Sequence, residues 1–146
     1  MIKKRRFYFG LLILISLSLL NGCSDDSQKN KAVATLTHPA LSPSGKFVLQ
    51  VAEGSDQGVQ AQCFQILQKD QNGNLQVIFS SPDHYRTRDA LYFFWDDADR
   101  VWVYSGDIGA YYWTYTTSSN WEKSTYVDGK EKAPNFLKSI RPQFFH

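Results

Sequence analysis

At 146 residues the chain has room for one domain with a modest core. Its 42% apolar and 15% aromatic content excludes a disordered polymer. The formal charge of +2 is concentrated at the N-terminus in Lys3, Lys4, Arg5 and Arg6; without them the remainder carries about −2, with no basic excess for a nucleic-acid partner.

Those four basic residues precede an apolar run, Phe7 to Leu20, broken only by Gly10, Ser16 and Ser18. The run is short for a membrane span of about 20 residues and predicts the h-region of a secretory signal. It leads into Leu20-Asn21-Gly22-Cys23, which resembles a bacterial lipobox. The resemblance implies a diacylglyceryl group on the Cys23 sulfur, cleavage before Cys23, and acylation of the new amino terminus by a fatty acid such as palmitate. Two or more chains give stable anchoring where one is marginal. Ser24, rather than Asp, follows the cysteine. Among sorted lipoproteins this implies the outer membrane of a Gram-negative cell; a Gram-positive host implies the outer face of its single membrane. The expected organisation is a signal peptide over 1–22, a lipid-anchored flexible tether over 23–32, and a single all-β domain over 33–146.

Within the domain, Ala32 to Thr37 predicts a short edge strand, ended by His38-Pro39 because proline cannot donate to a ladder. Ser42-Pro43-Ser44-Gly45 is a turn. Lys46 to Glu53 alternates with Phe47, Leu49 and Val51 on one face. After a loop at Gly54 to Gly58, Val59 to Lys69 is a strand whose apolar residues change parity after Cys63, which predicts a bulge there. Asn72-Gly73 signals a tight hairpin into Leu75 to Ser80, with Leu75, Val77 and Phe79 expected to face inward. Ser81 to Asp89 is a polar connector. Three strands follow, Ala90 to Trp95, Arg100 to Ser105 and Ala110 to Thr117, joined by an acidic turn and a glycine turn. Trp121 to Val127 is the last strand, and Ala133-Pro134-Asn135 predicts a short helix through Ile140.

Leu41 to Val51 and Trp95 to Ser105 share a pattern of turn, basic residue and apolar strand, at a spacing of about 54 residues that falls near propeller-blade repeats. Leu41-Ser42-Pro43-Ser44-Gly45-Lys46-Phe47 resembles the strand-initiating turn of WD40-like and TolB-type propeller blades. Two blades cannot close a ring. The expectation is therefore two antiparallel four-stranded meanders, packed as a sandwich or forming one bent sheet.

The chemistry is sparse. Asp96, Asp97 and Asp99 lack EF-hand spacing and read as a solvated turn. His38, His84 and His146 show no metal-ligand spacing, so no metal or cofactor is expected. Cys63 reads as a small core residue. No nucleophile elbow is present, and the domain is expected not to be an enzyme. The aromatic stretch from Leu91 to Thr117 supplies the candidate binding surface: Trp102, Tyr104, Asp107, Tyr111 and Trp113. Two uses are expected of such a domain. One is binding an envelope or secreted protein, as immunity and inhibitor lipoproteins do. The other is binding cell-wall glycan along an exposed Trp/Tyr strip.

Overall fold

The computed structural model describes residues 31–87, 90–118 and 120–146. The expected signal peptide, Cys23 and all but the last two tether residues lie outside the described residues.

The chain is all-β, two antiparallel sheets of five strands each with one short helix. The first sheet runs β2 (Ala40–Leu41), β3 (Phe47–Asp56), β4 (Val59–Lys69), β5 (Leu75–Ser80), with β6 (Tyr85–Arg86) also on β4. The second runs β1 (Val33–Ala34), β7 (Leu91–Trp95), β8 (Val101–Ser105), β9 (Gly109–Tyr115), β10 (Trp121–Thr125). Helix α1 (Asn135–Ile140) follows. The two meanders are thus present, and each sheet gains a short fifth strand.

Period-two alternation fills the space between the sheets. Phe47, Leu49, Val51, Phe64 and Ile66 face Phe93, Trp95, Val101, Val103 and Trp113. The Phe64 ring meets Trp113 edge-on at 4.8 Å. The Trp95 indole N–H donates to the Ala40 carbonyl at 2.9 Å, tying β7 to β2. This is a sandwich.

The second sheet is apolar on its other face too. Phe94, Trp102 and Tyr104 pack there with Leu137 of α1 and Phe145 of the tail. A six-residue helix is too short to persist alone; burial of Leu137 at 0% exposure fastens it. The second sheet is therefore the middle of three layers, and this is why its strands carry large side chains at successive positions.

Four expectations need correction. Val33–Ala34 pairs with Phe93 and Phe94 of β7, not with its sequence neighbours in the first meander. Its place there is taken by Ala40–Leu41, read from sequence as the approach to a turn. The Ser81–Asp89 connector contributes Tyr85–Arg86, which pairs with β4. The β3–β4 register runs uninterrupted from Phe47↔Gln68 to Asp56↔Val59, so no bulge lies at Cys63. The register shift falls instead between Ile66 and Leu67 against β5. The parity change arises because β4 carries apolar residues on both faces.

The glycine loop at 54–58 contracts to a two-residue turn. Gln57 and Gly58 both have positive φ, 51° and 78°, the conformation that matches the twist of a hairpin. The two similar turns before β3 and β8 each hold one left-handed residue, Gly45 (φ 74°) and Asp99 (φ 57°). They also touch, for the Ser44 N–H donates to Asp99 Oδ1 at 3.0 Å.

Candidate functional site

The five candidate residues do not form one surface. β8 presents Val101 and Val103 to the sandwich core and Trp102 and Tyr104 to the C-terminal layer. Trp113 lies opposite Val101, on the sandwich side. Trp102, Tyr104 and Trp113 are buried, so the expected exposed Trp/Tyr strip is core. The error is one of layers, since the C-terminal segment covers the face that alternation alone left open. Asp107 is exposed on the β8–β9 turn beside Ile108, whose carbonyl accepts a bond from the Tyr111 hydroxyl at 3.1 Å. Lys123 Nζ lies 4.4 Å from the Tyr111 ring centroid and pairs with Asp83 at 2.8 Å, closing the edge of the sandwich near β6.

The acidic turn is not the solvated turn expected. Asp96 is buried, and its carboxylate accepts from the backbone N–H groups of Ala98 and Arg100, from Arg100 Nε at 2.6 Å, and from the Trp102 indole at 2.8 Å. Arg100 also pairs with Glu131 at 3.1 Å and stacks over Tyr112 at 4.9 Å. Burial works against the Arg100 charge, but Asp96 and Glu131 outweigh it and hold the guanidinium above its ordinary range. Every lone pair Asp96 offers has a nearby donor, so it is an organising residue rather than a vacant ligand. Among the described residues no group of three or more His, Cys, Asp or Glu could hold a metal ion.

Cys63 is half-buried, and burial pushes its thiol above the usual range, which disfavours the thiolate. Tyr85 is buried against Phe93, and its phenol is raised first by burial and then by the Asp83 charge. The Tyr85 hydroxyl and the Trp121 indole N–H are buried without a hydrogen-bond partner among the described residues.

Two surface features remain, and both meet at Leu41. The first is an open groove of about 820 Å³ between the start of β1, the β2–β3 turn and the start of α1. Pro39, Pro43, Pro134 and Phe136 give it apolar walls; His38 and Asp97 give it polar rims. The second lies on the outer face of the first sheet. The register places Leu41 beside Val48, Val48 beside Leu67, and Leu67 beside Val77, one apolar row across four strands. Leu41 and Val77 at its ends are 56% and 50% exposed, and Leu75 extends it along β5 at 49%. Lys46 and Lys69, both exposed, flank the row two residues from Val48 and Leu67. Alternation predicts Leu75 and Val77 facing inward with Phe79, but the register shift between Ile66 and Leu67 leaves only Phe79 against the core and puts Leu75 and Val77 on this outer row, whose members come from four strands.

The fold and surface thus define an antiparallel β-sandwich with one outer face covered by its own C-terminus and the other carrying half-exposed Leu41, Leu75 and Val77. Compared with known proteins, the chain matches no family model, no curated protein and no solved structure. Among the described residues no helix is long and apolar enough to cross a membrane.

Proposed function

We propose that this is a lipid-anchored cell-envelope protein whose β-domain binds a partner protein, without catalysis of its own, in the manner of an immunity or inhibitor protein. The lipobox at Leu20–Cys23 supports the anchor. The row Leu41–Val48–Leu67–Val77 carries the binding reading, because the equivalent face of the other sheet is covered while this row leaves Leu41 and Val77 half exposed to water. Exposed apolar ends at Leu41 and Val77, joined through half-buried Val48 and buried Leu67 and flanked by Lys46 and Lys69, match a partner with an apolar patch and an acidic rim. The glycan-binding alternative loses its basis with the burial of Trp102 and Trp113.

The test is a photo-crosslinker placed at Val48 in the full-length chain, with Glu122 on the opposite sheet as control. The reading expects one protein trapped at Val48, in cells, with loss of that adduct in Leu41→Asp. Equal trapping at both positions, or none at Val48, would overturn it.

A further inference from the structure

We infer that the chain forms a symmetric dimer by pairing β5 with β5 of a second copy. This stands independently of the partner-protein reading. Among the described residues β5 is an edge strand, bonded to β4 on one side only. Its phase is fixed by the hairpin, where the Asp70 N–H donates to the Asn74 carbonyl at 2.8 Å. Antiparallel ladders alternate bonded and non-bonded pairs, so Gln68↔Gln76 is bonded, while Lys69↔Leu75 and Leu67↔Val77 are not. Leu75 and Val77 therefore aim their own N–H and C=O groups at the open edge.

Those two residues are self-complementary. A two-fold axis at Gln76 sets Leu75 opposite Val77 of the second copy, and Val77 opposite its Leu75. Each is a bonded pair, and together they give four main-chain hydrogen bonds. Leu75 and Val77 share the outer face, so the apolar row of one copy continues into the row of the other. Leu75 to Ser80 contains no charge, proline or glycine, and pairing it with itself meets no like-charge opposition. The register shift between Ile66 and Leu67 makes Ile78 the extra residue of β5 and ends the flat edge after Val77. At the far side of the sheet, β2 is only two residues long, too short to recruit another copy. Growth therefore closes at two instead of running on as a fibre.

The experiment uses the full-length chain in membranes, with Cys63→Ser as background. Gln76→Cys would face its own copy across the axis at a non-bonded pair, about 4.5 Å between Cα atoms, close enough to oxidise to a disulfide. A band at twice the monomer mass on a non-reducing gel is expected for Gln76→Cys and not for Gln50→Cys on the exposed middle of the same sheet. Adding Val77→Lys to Gln76→Cys should remove most of that band. Val77 is half exposed, and retained tryptophan fluorescence would show that the variant folds; Leu75→Lys, also at the exposed edge, serves as the second probe. Equal bands for Gln76→Cys and Gln50→Cys, no band for Gln76→Cys, or a band insensitive to both lysines in folded protein overturns the dimer. A Gln76→Cys band carrying a different protein would overturn it as well, assigning the edge to a partner's strand.

Discussion

At the scale of single residues, Asp96 shows how the most acidic part of the sequence serves the fold. Its carboxylate holds Arg100 and the Trp102 indole at once, and removing it would strand a half-buried guanidinium and a buried N–H. Asp96→Ala should therefore cost about 3 kcal/mol, measured by urea unfolding. Asp97→Ala, on the exposed neighbour, should cost less than about 0.5 kcal/mol. Gly54 is a different case. It sits inside β3, where a Cβ would come 2.5 Å from His84 Cδ2. His84 is exposed and free to swing outward, so Gly54→Ala alone should be near neutral. In a His84→Ala background the same change should stabilise by about 0.5–1 kcal/mol, because Ala is better placed in a strand than Gly. A double-mutant cycle reads this coupling directly, and purely additive values would rule out the contact.

Elements differ in how openly the sequence announces them. Phe47, Leu49 and Val51 alternate cleanly and lie on one face as read. Asn72-Gly73 marks its hairpin, where Gly73 takes a φ of 84°. Val33–Ala34 has no such voice, since two residues carry no periodicity, and only the pairing with β7 decides its sheet. The apolar row was hidden for a related reason, because Val48 and Leu67 look like exceptions on their own strands until the register joins them. The binding strip failed at the next level up. Trp102 and Tyr104 were correctly placed on one face, but the layer over them comes from Leu137 and Phe145, too few residues to show an amphipathic pattern. Leu137→Ala should thus detach α1 and cost about 2–4 kcal/mol, with a red-shifted tryptophan emission as Trp102 meets water. The β4–β5 hairpin depends on acid in a defined direction. Hydrogen bonds from the backbone of Asn74 and then Asn72 hold the Asp70 carboxyl below the usual aspartate range. A depressed value means the contribution is present above the unfolded-state pKa and is lost as pH falls through the folded one. Protection of the Asn72 and Asn74 amides, taken against the intrinsic exchange rate at each pH, should fall once pH drops below the ordinary aspartate range and the Asp70 carboxylate protonates, and Asp70→Asn should abolish that dependence.

At the scale of the whole molecule, the proposed anchor and the charge of the domain make a joint prediction. Beyond the four N-terminal basic residues the chain carries about −2, so an anionic bilayer offers the domain no electrostatic hold. Lys46 and Lys69 are two charges, fewer than the cluster that would retain a protein at a membrane surface. Retention then falls to the proposed lipid on Cys23 alone. A lipid-anchored tether of ten residues would span at most about 35 Å fully extended, so the proposed anchor would hold the sandwich close to the bilayer without requiring it to touch. Washing membranes with high salt should leave the mature protein in place, while detergent should release it. Cys23→Ser should accumulate as a precursor of higher mass that takes up no labelled fatty acid, although its domain, distant from the change, folds as before. Release of the unmodified chain by salt would point to a charged contact in place of the anchor. Normal maturation of Cys23→Ser would remove the lipoprotein reading altogether, while leaving the crosslinking test at Val48 to decide the proposed partner separately.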